Sequence, residues 1–216
     1  MDTFDRSRGL SLTQRSLKRG FDILLSFAGL IFVGWLFPFI FVVSTIDTRQ
    51  NGFFTQFRVG RNGRLFRVIK FRTMRVDPRF TTTVTSEADP RITKIGRLLR
   101  ETKLDELPQL INVFKGDMSF VGPRPDVPGF ADLLEGSDRV ILTVRPGITG
   151  PATLRFRAEE SELGRQEDPE EHNRNVIWRE KVRLNRLYIE HYRFRNDILY
   201  ILRTVLPPNT PGAERN

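Results

Sequence analysis

The segment from Ile23 to Ile46 places the strongest constraint on this chain, because it runs for 24 residues without a formal charge and contains Pro38. A straight helix of that length would cover roughly 36 Å, enough to cross a hydrocarbon core of about 30 Å. Proline has no N–H for the carbonyl four residues earlier, so it kinks or breaks a helix. The sequence therefore predicts a membrane-embedded helix that is broken at Pro38.

Basic residues flank this segment on both sides. Residues 1–22 carry five Lys or Arg residues against three acidic ones, and residues 47–80 carry nine against two. Because basic flanks prefer the cytoplasmic side, both ends are expected on the same face of the membrane. We therefore predict a re-entrant helix; a kinked transmembrane helix and a buried helix of a soluble core are the alternatives. A cleaved signal peptide is not indicated, since no small-residue cleavage site follows the segment.

Composition narrows the chemistry that this chain can perform. Its 216 residues carry a formal net charge of +9, which calls for anionic partners such as lipid head groups, phosphorylated substrates or nucleic acid. The absence of cysteine excludes disulfides, thiol nucleophiles and cysteine-based zinc sites. The two histidines, His172 and His191, lie far in sequence from any plausible nucleophile. Catalysis must therefore rest on carboxylates and on Lys or Arg.

Changes in composition divide the chain into four predicted segments. They are a polar arm over 1–15, a re-entrant membrane anchor over 16–50, a cytosolic domain over 51–206 and a tail over 207–216. The predicted fold class is α+β and mainly helical. A Thr-rich loop is expected over 76–90, followed by a short basic amphipathic helix that includes Ile92, Ile95 and Leu99. One or two further amphipathic helices after Val176 suit a position at the membrane interface.

A small β-hairpin is predicted directly after the apolar segment. Two stretches rich in Phe and Val, Phe53–Val59 and Leu65–Met74, flank the pair Asn62-Gly63. Both residues of that pair tolerate the positive φ angles that a tight hairpin turn requires. Lys70 lies in the second arm, where it either belongs to a solvated basic face or reaches a phosphate.

The acidic pair Asp105-Glu106 has two interpretations. Pro108 is tolerated only in a first helical turn, so a helix is expected to begin close to Asp105 and to end at Gly116. Asp105 would then cap the helix and Glu106 would complement its dipole. A helix N-terminus also keeps a carboxylate ionised, however, and that form serves as a nucleophile or a magnesium ligand.

Arg124 is a candidate phosphate ligand because it lies between Pro123 and Pro125. The two prolines hold it on a stiff, extended backbone, so little conformational freedom is lost when it binds. A guanidinium group also matches phosphate oxygens two at a time. Arg145-Pro146-Gly147 begins a second rigid loop of the same kind. A Pro-Arg-Pro triplet alone is equally compatible with a simple rigid turn.

Three blocks together resemble the bacterial sugar transferase family, the monotopic phosphoglycosyl transferases that start the assembly of lipid-linked glycans. The blocks are Arg61–Arg64 with Lys70–Met74, Leu104–Leu110 with Gly116–Ser119, and Val121–Pro125 with Arg145–Gly150. They occur in the family's order, and the resemblance covers roughly residues 17 to 206.

The resemblance implies a minimal catalytic enzyme, held by a re-entrant helix on the cytoplasmic face of the bacterial inner membrane. Such an enzyme transfers a sugar 1-phosphate from a nucleoside diphosphate sugar, usually a uridine one, to polyprenyl phosphate. It also implies that Asp105 is the nucleophile and a Mg²⁺ contact, and that Glu106 is its acid/base or positioning partner. The implied substrate-binding residues are Lys70, Arg100, Pro123, Arg124, Pro125 and Arg145.

Two other functions compete with this interpretation. The first is a non-enzymatic basic scaffold at the membrane surface, in which Asp105 is only a cap. The second is nucleic-acid binding, which is disfavoured because no binding motif appears and the basic residues cluster around the apolar segment. Anionic membrane lipids are therefore expected partners, and nucleic acid is not.

Overall fold

The computed structural model describes residues 9–78 and 89–206. The first eight residues of the predicted arm, most of the Thr-rich loop and the predicted tail lie outside these described residues. The structure is mainly helical with a small antiparallel hairpin, as the sequence predicts.

Helix α1 runs from Leu12 to Val33 and therefore begins inside the segment predicted to be a polar arm. The reason is a capping box: the Ser11 side chain accepts from the backbone of Gln14, and the Gln14 side chain accepts from the backbone of Ser11. The box gives hydrogen-bond partners to two N–H groups that would otherwise have none, and this stabilises a helix start at Leu12.

The predicted break at Pro38 is wrong in position. Helix α1 ends at Val33, helix α2 runs from Leu36 to Thr48, and the pair is bent by 67°. Pro38 is the third residue of α2, where its missing N–H is tolerated. The carbonyl that Pro38 leaves without a helical partner is that of Gly34, which instead accepts from Phe37 at 3.1 Å. The helix therefore breaks one turn before the proline.

Within residues 9–78 and 89–206, no single helix is both long and apolar enough to cross a membrane. The bent pair α1–α2 reaches that length and composition only when its two helices are taken together. Many of its large apolar side chains are exposed, and Trp35, at the bend, is 72% exposed.

The hairpin is confirmed. Strand β1 (Phe53–Val59) pairs antiparallel with strand β2 (Leu65–Phe71), and Gln56 lies opposite Val68. Asn62 and Gly63 adopt φ values of 60° and 74° in the turn, as their sequence predicts. Strand β2 ends three residues before the predicted end of the second arm.

The segment after the hairpin brings the acidic pair into position. Helix α3 (Lys94–Glu101) is capped by Thr93 and is followed by a 3₁₀ turn, Leu104–Glu106, and by helix α4, Gln109–Lys115. The predicted helix therefore begins four residues later than Asp105, with Pro108 at its N-cap. It ends at Gly116 as predicted, where a φ of 94° favours glycine.

The remainder of the described chain combines two short strands with further helices. Short strands β3 (Ser119–Val121) and β4 (Gly147–Thr149) pair in parallel, and two helices follow Val176 as expected. The later helices are α5 (Pro151–Arg155), α6 (Glu159–Leu163), α7 (Pro169–His172), α8 (Trp178–Glu190) and α9 (Phe194–Val205). A π-helical turn, Asn173–Ile177, joins α7 to α8, and 3₁₀ segments cover Ala131–Leu133 and Gly136–Thr143.

Buried polar contacts attach α1 to this body. Lys18 lies 2.5 Å from a carboxylate oxygen of Asp197 on α9, and that carboxylate also accepts from Tyr188 and Tyr192. One turn along α1, Asp22 accepts from the hydroxyl and backbone of β3. Because burying unpaired charges is costly, these contacts fix α1 against α9 and β3.

Candidate active site

Glu106 lies at the centre of a cluster of charged side chains. Its carboxylate oxygen Oε1 accepts from Lys70 Nζ at 2.9 Å and from Arg124 Nη2 at 2.7 Å. The Glu106 side chain is only 11% exposed, whereas that of Arg124 is 37% exposed. The fold therefore brings three of the predicted site residues together and leaves part of the arginine accessible to a ligand.

Lys70 is positioned by a contact between α4 and the hairpin. Asn112 on α4 accepts from the backbone N–H of Ile69 at 3.0 Å and donates to the carbonyl of Arg67 at 2.8 Å. This buried amide makes the backbone hydrogen bonds at the edge of β2 that a neighbouring strand would otherwise make. No sequence pattern singled out Asn112, although an amide between Ile111 and Val113 is an identifiable signal.

Arg124 is held by the backbone on both sides. The carbonyl of Pro123 accepts from Gly147 at 2.8 Å, and that of Asp126 accepts from Val59 at 2.9 Å. The carbonyl of Pro125 accepts from the Arg58 guanidinium at 3.3 Å. The two prolines thus flank Arg124, and both are buried.

Asp105 is buried beside this cluster without a partner for one of its oxygens. The residue is 7% exposed, and Oδ1 has no hydrogen-bond partner among the described residues. The N-cap of the 3₁₀ turn is Lys103, and the N-cap of α4 is Pro108, so Asp105 caps neither element. The helix-cap interpretation is therefore wrong, and the buried oxygen needs another explanation.

The two neighbouring carboxyl groups experience different electrostatic environments. Burial alone would raise the pKa of Glu106, but Arg124 and Lys70 hold that pKa well below its usual range. Burial raises the pKa of Asp105, and the charge of Glu106 adds to this effect while Lys70 opposes it. Burial also lowers the pKa of Lys70, against the opposing charge of Glu106. Glu106 therefore stays an anion that holds two cations in place.

A second set of charged residues lies behind Arg124. Arg58 donates to the side chain of Gln56 at 2.7 Å, and Lys181 lies 2.7 Å from Glu159. Burial raises the pKa of Asp126 to about 6, while Lys181 and Arg58 oppose the shift. No sequence motif identified these residues, because Arg58 and Gln56 reach the sheet face that carries Lys70 only through the alternation of β1.

The remaining predicted residues lie at different places. Arg100 on α3 contacts the sulfur of Met74 at 3.6 Å, and its charge lowers the pKa of Asp105 against the larger effect of burial. Arg145 is not brought to the cluster: its Nε donates to the carbonyl of Gly116 at 2.8 Å, at the opposite end of α4. There it stabilises the C-terminal end of the helix.

The donor set around Asp105 suits a magnesium ion that is shared with a substrate. In the part of the chain that the structure describes, no group of three His, Asp or Glu side chains is arranged to bind a metal ion alone. Mg²⁺ usually takes only one or two carboxylates and completes its shell with water and substrate phosphates. Because Asp105 has an oxygen without a hydrogen-bond partner, its carboxylate is able to supply one ligand of that kind.

The chain is similar to a known protein family. A family model described as bacterial sugar transferase matches residues 13–207. The galactosyl transferase CpsE of Streptococcus agalactiae serotype III (strain NEM316) is 38% identical over 203 residues, which cover 87% of this chain and 41% of the relative. The chain thus spans less than half the length of that protein.

Two further relatives carry more specific names. A putative undecaprenyl-phosphate N-acetylgalactosaminyl 1-phosphate transferase of Bacillus subtilis (strain 168) is 37% identical over 145 residues, covering 67% of this chain and 80% of the relative. The UDP-galactose-lipid carrier transferase of Erwinia amylovora is 30% identical over 211 residues, covering 89% of this chain and 40% of the relative.

Proposed function

The chain belongs to the bacterial sugar transferase family, and we propose that it transfers a sugar 1-phosphate from a uridine diphosphate sugar to polyprenyl phosphate. The observation that carries the proposal is the buried, unpartnered Oδ1 of Asp105 beside a Glu106 anchored by two cations. The names of the Bacillus and Erwinia relatives support an undecaprenyl phosphate acceptor and a uridine donor.

The transfer proceeds in two displacements at the same phosphorus atom. Oδ1 of Asp105 attacks the phosphorus that carries the sugar, and the nucleoside monophosphate leaves with the electrons of the broken P–O bond. An anionic oxygen of polyprenyl phosphate then attacks the aspartyl phosphate and releases the carboxylate. No bond to the anomeric carbon breaks, so the product keeps the anomeric configuration of the donor.

The surrounding cations supply what phosphoryl transfer requires, which is positioning and neutralisation of charge. Arg124 is the partly exposed cation next to Glu106, so its free donors are available to phosphate oxygens. Lys70 is the second cation of the pair. Glu106 acts as a positioning residue, because a carboxyl group with a strongly lowered pKa is a poor proton carrier at neutral pH.

Asp105 is also the residue that would hold Mg²⁺, together with the diphosphate of the donor. When bound, the ion would neutralise charge on the transferring phosphoryl group and on the leaving monophosphate. Burial disfavours an unpaired negative charge on the Asp105 carboxyl, so a bound cation would stabilise its ionised form.

The bent pair α1–α2 is the proposed membrane anchor, with the catalytic domain on the cytoplasmic face of the inner membrane. Its exposed apolar side chains suit the hydrocarbon region, and both of its ends carry basic residues that suit anionic head groups. Entry and exit by one face place the charged cluster where a soluble nucleotide sugar and a lipid phosphate both have access.

The test is trapping of the covalent intermediate. Full-length protein in detergent micelles is incubated with uridine diphosphate sugars that carry a radiolabel in the sugar-linked phosphate, without acceptor. We expect label on the protein and release of UMP, both abolished by Asp105→Asn. Asp138→Asn is the matched control, because Asp138 pairs with Arg186 at the surface, away from the cluster. Full labelling or turnover by Asp105→Asn would refute the proposal.

A further inference from the structure

A groove lies next to the charged cluster and is not used by the reaction steps above. It has a volume of about 530 Å³. Its walls are formed by Gln56 and Phe57 of β1, by the backbone and side chains of 127–130, and by Arg174.

Short stretches of chain connect the groove to the proposed phosphate site. Gln56 is two residues before Arg58 on β1, and a strand covers about 7 Å in two residues. The opposite wall begins at Val127, three residues after Arg124. Arg58 connects the Gln56 wall to the segment beside Arg124, because it donates to the side chain of Gln56 at 2.7 Å and to the carbonyl of Pro125 at 3.3 Å. One nucleotide is therefore long enough to contact both regions.

The wall that contains Phe130 presents aromatic and guanidinium surfaces. The ring of Phe130 packs edge-to-face on Trp178 at 5.5 Å, and the Arg174 guanidinium lies 5.3 Å from its centroid. Asp132 accepts from the backbone N–H groups of Gly129 and Phe130 at 2.7 Å and 3.0 Å, which orders the loop. Aromatic and guanidinium planes are the surfaces on which nucleobases stack.

The polar groups of the groove are donors. A guanidinium group only donates hydrogen bonds, so Gln56 must turn its oxygen toward Arg58 and keep its NH₂ group as the donor on the groove wall. Arg174 adds further donors. Donors match a base that presents carbonyl oxygens, and they oppose the exocyclic amino groups of cytosine and adenine.

We infer that this groove binds the nucleobase of the donor, and that Gln56 selects a carbonyl-rich pyrimidine over its amino analogue. The inference rests on the proposed function, because the proposed phosphate site determines which end of a nucleotide lies at the groove. The donor's base, not its sugar, is assigned to the groove, since the walls combine aromatic surfaces with donors that match ring carbonyls.

The test compares UMP with CMP, which differ at the carbonyl or amino group on C4. Affinities are measured by equilibrium dialysis with the full chain in detergent micelles. We expect wild type to prefer UMP, and Gln56→Glu to reduce the ratio of UMP to CMP affinity at least tenfold, because a carboxylate presents an acceptor instead of a donor. The added negative charge affects both nucleotides equally, so the ratio is insensitive to it.

Two further variants sharpen the result. Gln166→Glu makes the same charge change outside the groove, and it should leave the ratio unchanged. Arg174→Ala removes an exposed side chain and should weaken both nucleotides, without a change of fold. In turnover assays Gln56→Glu should raise KM for a uridine diphosphate sugar with kcat preserved, as expected when uniform binding is lost.

An unchanged ratio in Gln56→Glu would overturn the inference. So would unchanged UMP affinity combined with a raised KM for the sugar nucleotide, because that pair of results would assign the groove to the sugar. If the ratio falls but wild type releases no UMP from any uridine diphosphate sugar, the groove assignment stands and the proposed function fails. If turnover is normal and the ratio does not move, only the groove assignment fails.

Discussion

Replacement of Glu106 by Gln tests whether this residue is the anion that holds the cluster together. The substitution keeps the shape of the side chain and removes its charge. Glu106 Oε1 accepts two charge-assisted hydrogen bonds, of 2.9 Å and 2.7 Å, in a side chain that is largely buried. Hydrogen bonds to charged groups contribute about 1.5–3 kcal/mol each, and roughly half of that remains for a neutral acceptor.

The expected loss is therefore about 2 kcal/mol of unfolding free energy, since partial exposure of Lys70 and Arg124 lets water compensate some of the change. For a chain of this size, that loss lowers Tm by about 4–8 °C. Thermal unfolding in detergent micelles can be followed by the fluorescence of Trp35 and Trp178.

Glu190→Gln is the matched control, because Glu190 lies 3.6 Å from Arg186 in a more exposed pair on one helix. Such a pair contributes only about 0.3–0.5 kcal/mol, so its Tm should fall by no more than about 2 °C. A Glu106→Gln variant that melts with this control would show that both contacts behave as surface pairs, and the positioning role would be refuted.

Buried polar contacts or groups give three further predictions. The pKa of Glu106 is lowered in the folded state, so this residue stabilises the fold at pH values above its unfolded pKa of about 4.3. The difference in Tm between wild type and Glu106→Gln should therefore be constant from about pH 6 to 8. It should shrink as pH falls below about 4. Asn112→Ala should lower the unfolding free energy by about 2 kcal/mol, because it removes two hydrogen bonds to β2. It should also lower kcat/KM, because Lys70 loses its positioning by α4. An Asn112→Ala enzyme with wild-type kcat/KM would contradict that positioning. Lys18→Met should lower the unfolding free energy by about 3 kcal/mol, because it leaves the Asp197 carboxylate buried without its cation. The double variant Lys18→Met, Asp197→Asn should recover part of that loss, as measured by thermal unfolding.

Local chemistry made parts of the fold predictable. The Asn62-Gly63 pair determined the hairpin turn, because both residues tolerate positive φ. The turn then sets how the flanking strands pair. Gly116 determined the end of α4 for the same reason. The break in the apolar segment was predictable in kind but shifted in place. Pro38 fits the first turn of α2, and the carbonyl of Gly34 accepts from Phe37 instead of from residue 38.

The site was predictable only where motif residues carry their own chemistry. Asp105, Glu106 and Arg124 were identified from sequence, and the structure brings them together with Lys70. Arg145 belongs to an equally rigid Pro-Gly loop, yet its position at the far end of α4 follows from how β4 pairs with β3.

The sequence by itself determined the membrane-compatible segment, the hairpin and the acidic pair, because charge, backbone preference and proline chemistry act over a few residues. Only the tertiary structure decided that Glu106 is held between Lys70 and Arg124 and that one oxygen of Asp105 is buried without a partner. These properties depend on burial and on contacts between residues far apart in the chain. Desolvation and pairing of charges act through space, so no local pattern in the sequence specifies them.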